Sequence, residues 1–186
     1  MRVDPGWFDR RYAAEGDPWD FAGSAYEQRR YDLTVALLPQ RRYRHCVEPA
    51  CATGELTARL ATRCELVTAF DGSPTVVAMA ADRLAGLSNV ELTTASLPEH
   101  WPDASADLVV LSELGYYFDA ATWTGIIERA VQGLEPGGTV LAVHWLGHSP
   151  DHPRHGEDVH DDLAAVLGPP GGAYRQSELR LDWWHR

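Results

Sequence analysis

The stretch VEPACATGELT, Val47 to Thr57, decides the fold. It overlaps a short apolar run, His45 to Glu48, that reads as a strand closing on Glu48, and it leads into a helix from Glu55 to Thr62. Between strand and helix, Ala50, Ala52 and Gly54 are small enough for a ligand to approach the backbone, with Cys51 among them. The helix points its N-terminus, with its partial positive charge, back at this turn. A second strand, Leu66 to Phe70, ends in Asp71. A carboxylate there, about 20 residues past the turn, is placed to accept from ribose hydroxyls. Together these features read as a site for an adenosine-containing ligand. The plain alternative is a structural turn, with Asp71 capping the next helix.

The same alternation continues outward. Ser73 caps a helix that has Pro74 at its first position and reaches about Ala85. Val90 to Thr93 and the apolar run DLVVLS, Asp107 to Ser112, read as strands. Ala120 to Gln132 is helical and ends at Gly133, and Gly137-Gly138 is a turn feeding a strand from Thr139 to Trp145. Strands alternating with helices in this way give a Rossmann-like, doubly wound α/β fold. Its mostly parallel sheet lies between two helical layers, with right-handed crossovers. Upstream, Asp17-Pro18-Trp19 is a turn, and Ser24 caps a helix to about Leu38 with Glu27 at the capping-box position. Downstream lie a His-rich loop, a helix from about Asp158 to Leu167, a GPPGG loop, and a closing strand or hairpin over Arg175 to Trp184. Residues 1–186 are expected to form one domain, a helical cap over 1–40 followed by the core over 41–186.

Composition narrows the function. The net charge of −11 repels phosphate backbones, so nucleic acid is not expected as a partner. All 16 basic residues are arginine. The absence of lysine excludes Schiff-base chemistry, a P-loop and a Tyr-x-x-x-Lys dehydrogenase pair. Three cysteines, Cys46, Cys51 and Cys64, make neither a disulfide framework nor a four-cysteine zinc site. No apolar run approaches the ~20 residues of a membrane span and the first residues carry no signal-peptide pattern, so the expected location is the cytoplasm.

The motifs resemble those of the class I S-adenosylmethionine-dependent methyltransferases. VEPACATGELT is similar to their first motif, with Glu48 at its acidic position, Gly54 at its last glycine, and Ala50 and Ala52 where two glycines are usual. AFDGS supplies the ribose acid Asp71 together with Gly72 and Ser73. TASLP, with Ser96 and Leu97, resembles the adenine-contacting segment; DLVVLSE, with Ser112, and LEPGGTVL resemble the motifs of the fourth and fifth strands. Within the class, DPWDFAGSAYEQRRY, SELGYYF and HW…GEDVH are most similar to the nodulation N-methyltransferases. That resemblance implies S-adenosylmethionine as cofactor, S-adenosylhomocysteine as product, and methylation of an amine, in those enzymes that of a deacetylated chitooligosaccharide.

Methyl transfer is an in-line displacement, so alignment and desolvation matter most. Glu113, after the fourth strand, is the first candidate to orient or deprotonate the amine, and His144 the second. The alternatives are a cofactor or helix-capping role for Glu113 and a satisfied buried histidine for His144. Tyr116 and Tyr117 wall the substrate site or pack under a loop. In the N-terminal segment Arg30 is expected to grip the methionine carboxylate, while Tyr12, Trp19 and Tyr26 shield the sulfonium; the alternative is an amphipathic helix with aromatic anchors. His148 and His160, in the loop HWLGHSPDHPRHGEDVH, are assigned to substrate binding; no metal is expected, because prolines at 150 and 153 break any shared helix face. A monomer or homodimer acting on a small molecule is expected. The competing readings are an O-methyltransferase, a nucleotide-dependent oxidoreductase, and a non-catalytic cofactor-binding module that uses the seven tryptophans as an interface.

Overall fold

Strands that pair in parallel need a crossover between them, and single helices joining successive strands supply it. A computed structural model of the chain describes residues 4–186, in two compact units covering 4–100 and 101–186. In the first, β1 (Tyr43–Pro49), β2 (Cys64–Asp71) and β3 (Val90–Thr94) are linked by α3 (Glu55–Leu60) and α4 (Pro74–Leu84). They run parallel with Val47 opposite Thr68 and Ala69 opposite Leu92. Cys46, Val47, Val67, Ala69 and Phe70 are fully buried between the helices, with Val76, Ala80 and Leu84 of α4 forming one apolar face. The Ser73 hydroxyl caps α4 by accepting from the Val76 amide at 3.2 Å, as expected.

The N-terminal segment is more ordered than its sequence suggests. It holds α1 (Pro5–Glu15), which the residue pattern does not reveal, and α2 (Ala25–Ala36). Ser24 caps α2 through the Glu27 amide. Glu27 does not complete a capping box: its carboxylate turns instead to Arg30, one turn on. An ion pair with a neighbouring guanidinium outbids a single amide bond.

In the second unit, β4 (Ala106–Ser112) pairs in parallel with β5 (Leu134–Trp145), and β7 (Leu179–His185) adds antiparallel to β5 with β6 (Gly172–Arg175) outside it. Between β4 and β5 lie the 3-10 turn Gly115–Tyr117 and α5 (Ala120–Gln132), whose Trp123, Ile126, Ile127 and Ala130 form one buried stripe. The expected turn at Gly137-Gly138 is instead a bulge inside β5. Leu134 still pairs with Ala106, Thr139 with Leu108, and Gly137 takes φ 79°. Of the closing strand or hairpin expected over 175–184, β7 is the strand, while its hairpin partner β6 starts earlier, at Gly172 of the expected GPPGG loop. Helix α6 (Gly156–Leu167) begins two residues before the expected Asp158. Across all seven strands the order is β3-β2-β1-β4-β5-β7-β6, the doubly wound arrangement expected. No helix among the described residues is long and apolar enough to cross a membrane.

Candidate functional site

The turn after β1 is held left-handed at alternate residues: Ala50 at φ 54°, Ala52 at 47° and Gly54 at 78°. Alanine pays about 1–2 kcal/mol for that conformation, which glycine adopts freely. The turn is kept in place by Asp71, whose Oδ2 accepts from the Ala52 amide at 3.1 Å and whose Oδ1 accepts from the Ser73 amide at 2.9 Å. Asp71 therefore organises the turn. Burial raises its pKa, against those amides, and Asp9 nearby raises it further. Replacing Ala52 with glycine is expected to stabilise the protein by about 1 kcal/mol in urea unfolding, relief of strain outweighing the freer unfolded chain. No stabilisation would mean the turn relaxes without cost.

Glu48, at the end of β1, is 2% exposed. Burial pushes its carboxyl up to about 8 against the pull of Thr57 and Arg30. Its Oε2 has no hydrogen-bond partner, nor has the hydroxyl of buried Thr53 in the same turn. A buried carboxyl oxygen in this state can take one further hydrogen-bond partner. Cys51 is buried beside Asp71 and Glu48; burial first, then those two carboxylates, raise its thiol pKa well above normal, so it is a neutral packing residue and not a nucleophile.

Gly72 faces Ser96 so closely that a Cβ on it would lie 2.6 Å from the Ser96 hydroxyl. The Ala95 amide donates to the Asp71 carbonyl at 2.9 Å, bringing the segment of Ser96 and buried Leu97 alongside the end of β2. The structure thus collects Glu48, the 50–54 turn, Asp71, Gly72, Ser73, Ser96 and Leu97 at the carboxyl ends of β1, β2 and β3.

The N-terminal candidates are differently employed. Arg30 is 3% exposed, with its guanidinium paired to Glu27 and lying over the Tyr31 ring, so a ligand carboxylate would compete with Glu27 for it. Tyr12 is buried edge-on against Trp19, which also packs with Trp7, Phe8, Phe21 and Arg11. Sequence reasoning missed Asp9. From α1 it accepts from the Ser73 hydroxyl at 2.7 Å and the Thr75 amide at 3.1 Å, tying that helix to the start of α4. An isolated acid on an unrecognised helix gives no signal in the sequence.

In the second unit Glu113 follows β4 with φ 56°, a left-handed conformation costly for a side chain with a Cβ. Its Oε1 accepts from the Trp145 amide at 2.7 Å and its Oε2 from the Tyr116 hydroxyl at 2.5 Å. Ser112, the last residue of β4, is partly exposed. Tyr116 is buried, edge-on to Tyr117 and stacked on His152 at 3.9 Å.

His144 and His160 are not poised to touch a substrate. Both are fully buried, and their nitrogens are engaged with each other, with the Gly115 amide and with Asp182. The expected roles for these two give way to structural ones, because neither ring has an edge left for an acceptor. His148 is exposed, its ring 4.8 Å from that of His155. His155 is the N-cap of α6, accepting from the Glu157 amide and bonded through Nε2 to the Leu146 carbonyl. Asp182 and Arg180 were not legible: in β7 they look like the polar residues of an ordinary alternating strand.

Burial lowers the His160 pKa despite Asp182. The Asp182 carboxyl, although burial works against it, is held below its usual value by His160 and Arg180. Both folded values lie below the unfolded ones. Their stabilisation is complete above about pH 6.5 for the histidine and about 3.9 for the aspartate, and it drains as pH falls below each. The stability difference between wild type and His160→Gln, measured by thermal melting, is therefore expected to shrink between about pH 6.5 and pH 4.5. A difference independent of pH would contradict a neutral His160.

Residues 8–144 match the family model described as nodulation protein S (NodS). A nodulation protein S from Sinorhizobium fredii is 31% identical over 134 residues, covering 71% of this chain and 62% of that protein. The chain spans less than two thirds of the length of the curated relatives it matches, 62%, 56% and 64%. Among solved structures, a candidate methyltransferase from Pseudomonas syringae is 39% identical with a TM-score of 0.78, covering 88% of this chain and 100% of that one. The N-methyltransferase NodS from Bradyrhizobium japonicum, in complex with S-adenosyl-l-homocysteine, is 22% identical with a TM-score of 0.85 over 98% of both chains, a likeness of fold.

Proposed function

The chain belongs to the nodulation protein S family, and from that premise we propose that it is an S-adenosylmethionine-dependent methyltransferase acting on an amine nitrogen of a small molecule such as an amino sugar. The observation that carries the reading is the left-handed 50–54 turn, cross-tied by Asp71 and flanked by the unpaired oxygen of Glu48.

The residues fit the cofactor. Glu48 supplies a buried carboxyl with an unpaired oxygen, and an ammonium such as that of a methionine moiety would bring its raised pKa down and pair with it. Asp71 has lone pairs beyond those used by Ala52 and Ser73, which suit ribose hydroxyls. Gly72, Ser96 and Leu97 line the approach for the base, and Tyr12 and Trp19 give an aromatic wall. When bound, the sulfonium supplies an already activated methyl group.

The rest of the chemistry belongs to the chain. Glu113 takes up or orients the proton of the attacking amine, its carboxylate fixed between the Trp145 amide and the Tyr116 hydroxyl. Tyr117 and His148 contribute to the acceptor side. We take residues 1–186 as one catalytic domain, working in the cytoplasm as a monomer or homodimer and without nucleic acid.

Incubation with S-adenosylmethionine and a panel of glucosamine, its oligomers and simple phenols, followed by mass spectrometry, tests the acceptor class. Methylation on nitrogen is expected. Methylation confined to hydroxyls would replace the amine reading with an O-methyltransferase.

A further inference from the structure

Four groups lie in a buried row in the second unit, and the ends of the row dictate where every proton sits. The Gly115 amide can only donate, so His144 Nε2 accepts from it at 3.1 Å. His144 therefore carries its proton on Nδ1 and donates to His160 Nε2 at 3.2 Å. His160, in the same tautomer, donates from Nδ1 to Asp182 Oδ2 at 2.8 Å. That oxygen also accepts from Arg180 Nε at 2.8 Å. An amide at one end and a carboxylate at the other admit this one direction only.

The row ends on the backbone that carries Glu113 and Tyr116. Gly115 opens the 3-10 turn two residues after left-handed Glu113, and Tyr116 donates to the Glu113 carboxylate. A Cβ at position 115 would lie 2.3 Å from Val159 of α6, the helix that bears His160, so this turn has no slack. We propose that His160 and Asp182 are positioning residues: they hold His144 in its Nδ1-protonated form and, through the Gly115 amide, fix the turn that presents Glu113. The inference rests on the reading of Glu113 as the group that handles the acceptor.

The neighbours described for the two rings fit this assignment. His160 is faced by Asp182, Arg180 and the Trp184 ring from β7, by Glu157 from its own helix and by His144 from β5. His144 is faced otherwise by the rings of Tyr116 and Trp123. An extra proton on either histidine places two donors face to face, at Gly115 or between the rings, and releases the turn.

Nitrogen-15 NMR of the histidine-labelled full chain reads the tautomers directly, whatever the methyl acceptor. In wild type at neutral pH, His144 and His160 are both expected to be protonated on Nδ1 and bare on Nε2. In His160→Phe, His144 loses its acceptor and is expected to lose its single tautomer. Turnover on whichever amine the acceptor panel identifies is expected to fall roughly tenfold with S-adenosylhomocysteine affinity unchanged. His160→Gln, whose amide replaces both the acceptor and the donor, is expected to recover much of that loss. Asp182→Asn is the second variant, because an amide can also donate and the row then loses its fixed direction. An Nε2-protonated His144 in wild type, or a His144 tautomer unmoved in both His160→Phe and Asp182→Asn, would overturn the proposal. Failure of the wild type to bind S-adenosylhomocysteine would sink the methyltransferase reading instead, and the tautomers would still decide this one.

Discussion

Glu113→Gln is expected to lower methyl-transfer turnover about a hundredfold while leaving S-adenosylhomocysteine affinity within about twofold, the signature of a lost proton acceptor. The substitution is close to isosteric. Glutamine keeps a carbonyl oxygen for the Trp145 amide, and the Tyr116 hydroxyl can turn to accept where it now donates. The left-handed backbone at 113 is no worse for glutamine than for glutamate. The fold should therefore survive, and what disappears is the negative charge proposed to handle the attacking amine. Parallel measurement of kcat and of cofactor Kd separates the possibilities. A pure affinity loss would move Glu113 to the cofactor, and unchanged turnover would leave it a structural anchor for β5.

The second large effect belongs to Asp71. Its carboxylate holds the Ala52 and Ser73 amides, so Asp71→Ala removes the tie across the strained turn along with the oxygens proposed to accept from the ribose. The cost to S-adenosylhomocysteine binding is expected to be about 2 kcal/mol, roughly thirtyfold in Kd, with a further loss of stability from the two orphaned amides. Asp71→Asn, keeping one acceptor oxygen, should fall between. Calorimetry and urea unfolding on both variants check the two parts. Unchanged affinity in a folded Asp71→Ala protein would remove the ribose from β2.

Much of this arrangement is readable from residue order because local chemistry forces it. The turn at 50–54 announces itself by small residues between an apolar strand and a helix, and the Ser73-Pro74 start of α4 by its capping pattern. Glu113 stands out as a candidate because it follows the buried run DLVVLS, at the carboxyl end of a strand, where ligands of such folds bind. What stays hidden depends on contacts distant in sequence. The His144–His160–Asp182 row joins three elements, and nothing near His144 distinguishes a catalytic histidine from one locked between a glycine amide and a second ring. The His-rich loop misleads for the same reason. Its members are divided among helix capping, aromatic stacking and the buried row. Arg30 shows the limit of a motif: a suitable guanidinium is present, but Glu27, one helical turn away, is its partner. Helix α1 escapes notice because its docking rests on Asp9 reaching Ser73 and Thr75, over 60 residues away along the chain.

The most direct test of the central claim is a calorimetric titration of the protein with S-adenosylhomocysteine, run beside NAD and NADP. Micromolar binding of the first and none of the others is the predicted result, with ~8 kcal/mol of binding free energy. Binding of only the nicotinamide dinucleotides would contradict the account, making the turn after β1 a dehydrogenase site, and binding of none would leave Glu48 and Asp71 without the ligand assigned to them.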